Sequence, residues 1–444
     1  MSSEAEKWLI ENRIDEVEVL IPDIAGVARG KFLPASKFLR QNLRIPESTF
    51  IQGITGDYAE VASEIYDIDP DLILQPDFNT MRVVPWADEP TACVISDGFR
   101  GDGQPLDVSP RHVLRRVLAL YEAKGWKPVV APEVEFYLVQ QNKDPDYPLE
   151  APIGRTGRKE AAGRAYSIDA VNEFDPIIEN IYDYCEIMEI DADSLSHEDG
   201  AGQLEVNFFH GSPLELADQV FLFKRVVREA AWKHGVYATF MAKPMQGEPG
   251  SALHIHQSIV DLKTGKNIFS NDDGSMSDLF LNYIGGLQRY VPEALIIFGP
   301  YVNSYRRFTR YLAAPINVQW GHDNRTVGLR VPSSDSDNRR VENRIPGADV
   351  NPYLAIAASL ACGYLGMIDG LKPTEALAGN AYKMKEGLSR DLFQALDLLE
   401  ACKPLHGVLG EEFVKLYCGI KKVEYEAYFE VISPWEREFL LLNV

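Results

Sequence analysis

The run NRTVGLRVPSSDSDNRRVENRIP, Asn324 to Pro346, gathers Arg325, Arg330, Arg339, Arg340 and Arg344 in a chain that is otherwise strongly acidic. In its second half, Arg340, Glu342 and Arg344 alternate with Val341 and Asn343. Alternate side chains of a β-strand share a face, so two guanidinium groups and a carboxylate are predicted to point the same way. Like charges so close repel unless an anion lies between them. A nucleotide polyphosphate or a substrate carboxylate meets that need, because the planar guanidinium binds oxygens in pairs. A surface charge network gives the same pattern and is worth little energy, so the rest of the chain must decide.

Three further stretches carry the same one-sided polarity. Glu133 and Glu135 share a face in PEVEFYL, Gln203, Glu205 and Asn207 in GQLEVNF, and His254, His256 and Ser258 in ALHIHQS. If these strands neighbour one another they line a polar funnel. Glu133, Glu135, Glu198, Glu205 and Glu342 would then repel one another unless cations lay among them. Oxygen ligands with a single imidazole suit Mg²⁺ or Mn²⁺ rather than a structural zinc site. Acidic and basic strands around one cavity point to metal-assisted phosphate chemistry. The chain has no Walker A loop, no G-x-G-x-x-G after a strand, and no G-x-S-x-G or H-E-x-x-H pattern, so a nucleotide site here is of another type.

Bulk properties narrow the class. With 444 residues, two domains are expected, one of them large. A net charge of -22 argues against nucleic acid and anionic membrane as partners, since both need a basic face. Cys93, Cys185, Cys362, Cys402 and Cys418 are scattered, as expected of reduced thiols in a cytoplasmic protein. The first residues lack a secretory signal, and no run has the apolar length of a membrane span.

In chain order, a short helix near residues 4–13, strands at Val17–Ile21 and VARGKFLP, and strand-like pieces between 60 and 100 make a small β-rich domain over residues 1–105. GDGQPLDVSP (101–110) is the candidate linker. Ser109-Pro110 opens a helix that Gly125 ends. Strands near 127–139, 202–210 and 252–260 follow, with helices near 169–189, 213–235, 276–296 and 350–369. Strands and helices do not alternate regularly, so the fold class expected for 106–444, and for the chain, is α+β.

On PEVEFYL (132–138), HEDGAGQLEVNF (197–208), ATFMAKPMQGEPGSALHIHQS (238–258), NSYRRFTRYLAAP (303–315), NRTVGLRVP (324–332) and RRVENRIPGADVNPYLA (339–355), the chain resembles the glutamine synthetase family over nearly its whole length. The resemblance implies an N-terminal β-grasp domain and a C-terminal catalytic domain of the glutamine-synthetase/guanido-kinase type. It also implies a homo-oligomeric, hexameric ring, with each active site shared between neighbours. ATP would activate the γ-carboxylate of glutamate, and an amine would attack the γ-glutamyl phosphate. Carried over by motif, Glu135, Glu198 and Glu205 would hold one metal and Glu133, His254 and Glu342 a second, in a site of two or three Mg²⁺ or Mn²⁺ ions. His256, Ser258 and Arg340 would face ATP. Arg325, with Arg330 beside it, would stabilise the transferring phosphoryl group, and Gly250, Arg307 and Arg344 would bind glutamate.

The departures from the family pattern bear on the acceptor. Ammonia-using members have a glutamate just before the Ala-Pro of the fourth motif, where this chain has Ala313. They also have an aspartate in an N-terminal loop, where Gln52 is the nearest match. Loss of both acids implies an organic amine larger than ammonia. Asp57 and Glu60 would suit a polyamine, whereas Phe50, Ile51, Ile54, Tyr58 and Phe308 would suit an apolar or aromatic monoamine; the lost acids favour the latter. The alternatives are an ammonia-using synthetase, a silent homologue used as scaffold or sensor, and a guanidino-phosphotransferase. Tyr382 reads as an unmodified surface tyrosine. Phe439 to Leu442 are too apolar for water; they would grip a second ring or fold back on their own subunit.

Overall fold

The computed structural model describes residues 2–40, 43–62, 67–310 and 313–444. Its strands are β1 (Glu16–Pro22), β2 (Ala28–Pro34), β3 (Leu43–Pro46), β4 (Asp71–Pro76), β5 (Arg82–Val83), β6 (Thr91–Phe99), β7 (Trp126–Gln140), β8 (Ala192–His197), β9 (Gln203–Phe208), β10 (Val236–Thr239), β11 (Leu253–Asp261), β12 (Trp320–His322), β13 (Leu329–Val331) and β14 (Val341–Asn343). The first six form a sheet ordered β2-β1-β6-β4-β3, with β5 on β6. The other eight form a second sheet ordered β12-β13-β14-β11-β7-β9-β8, with β10 on β7. Pairing is antiparallel except for β1 with β6 and β12 with β13. Helices and mainly antiparallel strands are thus mixed without regular alternation, as the residue pattern predicts.

Strand parity decides what each face of the second sheet does. On β7, Val134, Phe136 and Leu138 are buried and face the helical layer, where the Phe136 ring meets Phe223 of the helix Pro213–Lys233 with centroids 6.3 Å apart. Glu133 and Glu135 occupy the opposite parity. Leu204, Val206 and Phe208 of β9, and Leu253, Ile255 and Ile259 of β11, repeat the apolar side. Burying such a side chain stabilises by about 1.5–3 kcal/mol. A slip of one residue would turn Glu133, Glu135, Glu205, His254 and His256 onto the apolar face, so the register is strongly specified.

The helix Pro352–Asp369 backs the same sheet. Asn351 caps it, its Oδ1 accepting from Tyr353 N at 3.1 Å and Leu354 N at 3.4 Å, and Gly370 ends it at φ 64°. Ser359 Oγ accepts from Gln257 Nε2 at 2.7 Å and Asn343 Nδ2 at 3.0 Å, which ties the helix to β11 and β14. This helix is long and apolar enough to cross a membrane, but 78% of it is buried inside the fold.

Three expectations are corrected here. Segment 101–110 is no free linker, because Leu106 and Val108 are fully buried and Phe99 bridges to Pro105. Tyr382 is buried, not a surface residue: Asn317 Nδ2 donates to Ala381 O at 3.0 Å, Arg310 donates to Tyr382 O, and these bonds hold the turn inward. The C-terminal tail does not fold back. Pro434 does open its last helix, Pro434–Leu440, but Leu442 remains 90% exposed.

The two sheets are joined through Arg111, which is fully buried. Its guanidinium donates to Asp97 Oδ2 at 2.9 Å, to Asp77 Oδ2 at 2.9 Å, and to both oxygens of Asp218 at 3.0 and 2.8 Å. Asp77 and Asp97 belong to the N-terminal part and Asp218 to the helix Pro213–Lys233. Removing the cation leaves Asp218 buried without a counter-charge and Asp77 and Asp97 with Arg115 alone, which costs roughly 3–5 kcal/mol. Arg111→Met is therefore expected to lower the urea unfolding midpoint markedly. Arg111→Lys should recover only part, since an ammonium cannot reproduce the fork. A midpoint for Arg111→Met equal to that of the unaltered chain would contradict this role.

Candidate active site

The four one-sided strands are consecutive neighbours, β14-β11-β7-β9. In register, His256 lies opposite Glu342, His254 opposite Glu133, Glu135 opposite Glu205, and Arg330 of β13 opposite Glu342. Directly opposed residues in antiparallel strands have their Cβ atoms about 4.5–5.5 Å apart, so pairing alone draws these side chains into one patch. Glu198 follows the end of β8, where Ser196 opposes Glu205. The polar funnel read from the residues is formed, and its groups are not scattered over the exterior.

Hydrogen bonds hold the patch. Glu133 meets His254 Nδ1 at 3.1 Å and His256 Nε2 at 2.8 Å, and Arg340 Nε donates to His256 Nδ1 at 3.1 Å. Glu135 Oε2 accepts from Ala252 N at 2.8 Å and Gln203 Nε2 at 3.1 Å. Glu342, wholly buried, accepts from Arg330 at 2.9 Å and also from Arg344. Arg307, also buried, donates to Ile345 O at 2.6 Å and Arg344 O at 3.0 Å.

Electrostatics divide the carboxylates into two kinds. Burial pushes Glu135 up to about 8, with the Glu198 charge adding to it. Burial also lifts Glu205 to about 9, reinforced by Glu135, Glu133 and Glu198. Glu198 is raised by burial and by Glu133. Burial works against Glu133 too, but the bonds from His254 and His256 outweigh it and hold this group below the usual carboxylate range. Glu342 is likewise depressed against its burial, by Arg344 and the two histidines. Burial and Arg344 push His254 down to about 4, so its imidazole is neutral at pH 7. The raised trio lacks enough positive charge around it to ionise freely, which is the condition that divalent cations relieve.

Two donor groupings are already within reach of a single ion. Atoms of Glu133, His256 and Glu342 lie within 4.8 Å of one another, and so do atoms of Glu133, Glu205 and His254. Carboxylates with one imidazole fit hard divalent ions such as Mg²⁺ or Mn²⁺. Glu133 belongs to both groupings, and His256, expected to face nucleotide, joins one of them.

Two cavities meet at Glu133. One, of about 450 Å³, is lined by His256, Ser258, Arg340, Asn338, His210 and Phe209 among others. The other, of about 70 Å³, is lined by Glu133, Glu135, Glu198 and Glu205 with His254, Gly250, Arg307, Arg344, Arg325 and Ala313. The Nε atoms of Arg330 and Arg344 are buried without a hydrogen-bond partner among the described residues. Ala313 is exposed at the rim with φ 63°, uncommon for a residue other than glycine. Tyr311 and Leu312, just before it in the fourth motif, lie outside the described residues.

Not every expected residue joins the site. Gln52 is absent from both cavities; its Nε2 donates to Tyr58 Oη at 2.5 Å on the N-terminal loop, with Asp57 and Glu60 exposed nearby. Phe50, Ile51 and Phe308 offer no aromatic or apolar wall to an amine, because all three are buried in the hydrophobic core. Conversely, Tyr166 and Asp199 line the smaller cavity and carry no strand alternation to betray them. The acceptor end is therefore not free of acids, as the sequence had suggested. The only signal for Asp199 was its place next to Glu198 in a glycine-rich turn.

Comparison with known proteins agrees with this geometry. Residues 107–440 match the model of the glutamine synthetase catalytic domain. Gamma-glutamylputrescine synthetase PuuA of Escherichia coli (strain K12) is 35% identical over 96% of this chain and 92% of its own length. Glutamate--isopropylamine ligase of Pseudomonas sp is 35% identical over 98% of each chain. The solved structure described as a GmaS/ADP complex superposes with a TM-score of 0.83 at 27% identity, covering 98% of this chain and 99% of its own. A family match across the catalytic strands, with relatives aligned end to end, makes the chain a member of the glutamine synthetase family.

Proposed function

We propose that the protein is an ATP-dependent ligase that joins the γ-carboxylate of glutamate to an organic amine larger than ammonia. The observation that carries this reading is the corner at Ala313, which lies on the same cavity as the acids and Arg325 and presents only a methyl group. The family resemblance puts a glutamate there in ammonia-using members. Two relatives whose names specify putrescine and isopropylamine as acceptors support the same reading.

In this reading ATP occupies the larger cavity, with His256, Ser258 and Arg340 along it, and glutamate occupies the smaller one against Gly250, Arg307 and Arg344. The unpartnered Nε of Arg344 suits a carboxylate oxygen. A γ-carboxylate oxygen attacks the terminal phosphorus of ATP, ADP leaves, and γ-glutamyl phosphate forms. The nitrogen of the neutral amine then attacks the γ-carbon, the C–N bond forms, phosphate leaves with the C–O bond pair, and the nitrogen releases one proton to solvent. Arg325, exposed in the cavity, neutralises the phosphoryl oxygens during transfer, whereas Arg330, held by Glu342 and Asp323, is not among the residues lining either cavity and acts through Glu342. Glu135, Glu198 and Glu205, and Glu133, His254 and Glu342, would hold Mg²⁺ or Mn²⁺, which would supply positive charge to the phosphates.

The N-terminal sheet is read as the β-grasp unit over residues 1–105, the remainder as the catalytic domain, and the assembly as a homo-oligomeric ring in the cytoplasm. Gln52 then serves a neighbour's amine pocket rather than its own. The exposed tail, with Trp435, Leu441 and Leu442 in solvent, favours burial against a further subunit, so a double ring is compatible.

Ammonium and a panel of organic amines should separate the acceptor classes through glutamate-dependent phosphate release. An organic amine is expected to exceed ammonium by at least an order of magnitude in kcat/KM, and ammonium as best acceptor would overturn the reading. Ala313→Glu should reduce turnover of bulky amines selectively; unchanged acceptor preference would remove Ala313 from the pocket. Arg325→Ala is expected to lower kcat about 10²–10³-fold with KM for glutamate little altered, since its contact strengthens in the transition state. An equal rise in that KM would contradict its role.

Mg²⁺ or Mn²⁺ at saturating concentration should raise the melting temperature by several degrees, with EDTA reversing the gain. Glu205→Gln should abolish the gain without destabilising the metal-free protein, because it removes a carboxylate that burial and its neighbours disfavour. A melting curve indifferent to every divalent ion would rule out the site.

A further inference from the structure

Arg307 stands just beyond the helix Val302–Tyr305, which is four residues long. A helix this short is not stable on its own, so its neighbours must aim it. Asn303 is bonded twice to Lys243, accepting from its N at 2.9 Å and donating Nδ2 to its O at 2.9 Å. Ser304, which is buried, accepts from Tyr301 N at 3.0 Å, and its hydroxyl donates to Asp349 Oδ2 at 2.6 Å. Ser304 O in turn accepts from Arg307 N at 3.1 Å. Two hydrogen bonds therefore run from the Asp349 carboxylate to the Arg307 backbone.

Asp349 itself belongs to a segment that is firmly held. Lys224, buried on the helix Pro213–Lys233, donates Nζ to Ala348 O at 2.7 Å and to Val350 O at 2.8 Å, the carbonyls on either side of Asp349. Ala348 N donates to Ser251 O at 3.0 Å, and Ala252 bridges to Gly347. The same segments enclose Arg307. Its guanidinium donates to Ile345 O and Arg344 O, and a Cβ at Gly250 would come within 2.6 Å of its Cγ. Segments 249–252, 301–307 and 344–351 thus close on one another around the Arg307 stem, and the Ser304–Asp349 bond joins the second to the third.

Accepting a hydroxyl does not require a charge at Asp349. Its Oδ1 is buried without a hydrogen-bond partner among the described residues. Burial pushes this carboxyl above the usual range, against the pull of Ser304, Lys224 and Arg307. A carboxylate placed in this way costs stability. Arg307 has the complementary need, because its guanidinium is buried and bonded to neutral carbonyls. Burial pushes it down to about 10, with Glu135 and Asp349 working the other way. In the ligase reading Glu135 belongs to a metal's ligand set, which leaves Asp349 as the counter-charge. We infer that Asp349 is a positioning residue for substrate glutamate: through Ser304 it sets the entry of Arg307 into the smaller cavity, and through its charge it offsets the cost of burying that guanidinium. Asp349 lines neither cavity, so it acts through Arg307 and not by contact. The inference rests on the ligase reading and deepens it by naming what aims the glutamate-binding arginine.

The test uses the full-length enzyme with Mg²⁺ and with putrescine or isopropylamine, whichever turns over faster. Steady-state constants for glutamate and ATP, and melting temperatures without ligands, are measured for the unaltered enzyme, Asp349→Asn, Asp349→Ala, Ser304→Ala and the double variant of Ser304→Ala with Asp349→Ala. Asp349→Asn keeps an acceptor for Ser304 and removes the charge. It is expected to melt no lower than the unaltered enzyme, because it removes a carboxylate that burial disfavours. It should nevertheless raise KM for glutamate about fivefold while KM for ATP changes less than about twofold. Asp349→Ala should raise KM for glutamate about tenfold, and adding Ser304→Ala to it should cost less than about twofold more, since the partner is already gone. An unchanged glutamate KM in Asp349→Asn, equal rises in both KM values, or a Ser304→Ala cost that is the same with and without Asp349, would each overturn the inference while leaving the ligase reading intact. If Asp349→Ala fails to fold, the KM pair of Asp349→Asn decides. Absence of glutamate-dependent ADP formation in the unaltered enzyme would overturn the ligase reading itself.

Discussion

Mutual repulsion among buried carboxylates is the constraint around which the second sheet is built. Four glutamates, Glu133, Glu135, Glu198 and Glu205, crowd one cavity, and at least Glu135 and Glu205 sit where burial and their neighbours disfavour charge. No fold adopts this for stability; replacing such groups with packed apolar residues commonly stabilises a protein. The other face of the same strands supplies the offset. Phe136, Leu204, Val206 and Ile255 lock the register from behind, so the acids have nowhere to go. The sheet is thereby preorganised for polyvalent cations and the anions they carry, with the reorganisation energy already met in folding.

The basic side of the cavity follows the same logic. In a chain of net charge -22, Arg330 on β13 with Arg340 and Arg344 flanking β14 creates a local field opposite to that of the whole. Glu342 is the hinge of this arrangement. Being wholly buried and bonded to both Arg330 and Arg344, it fixes two guanidinium groups whose Nε atoms have no partner among the described residues. The carboxylate thus aims the arginines without consuming their full capacity for a ligand. Arginine rather than lysine is required, since only a planar fork divides its donors in this way.

What could be read from the residues follows from the range of the interactions involved. Strand parity is a local property, so Glu133, Glu135, Glu205, His254, His256 and Glu342 were legible from alternation alone. That their strands would be neighbours was not local; it came from the resemblance and is met by the order β14-β11-β7-β9. Loop residues escaped because their direction depends on distant anchors. Tyr166 is placed by His197, and the turn carrying Asp199 by Glu160 and Glu248. Phe50 and Ile51 misled for the complementary reason. Adjacent to Gln52 in sequence, they turn into the core while Gln52 turns towards Tyr58. The 101–110 segment carries linker chemistry, yet Leu106 and Val108 are held by the core.

The remoteness of Gln52 bears on how the site is completed. Its loop is held by the far end of the chain: Ile54 N donates to Glu424 Oε1 at 2.7 Å, and Lys421 Nζ meets Glu424 Oε2 at 2.6 Å. Lys421 lies 4.3 Å from the centroid of the Tyr301 ring, so this clamp is part of the packed interior. The loop therefore cannot swing across to Ala313 within one chain without giving up the bond from Ile54 N to the Glu424 carboxylate, a hydrogen bond to a charged group worth about 1.5–3 kcal/mol. Yet a phosphorylated intermediate must be shielded from water before the amine attacks, and the cavity is open at Ala313 and Tyr166. Under the ring reading both facts have one cause. The loop would be offered outwards, with Ile54 exposed beside Gln52, and would close the open side of the adjoining copy's cavity.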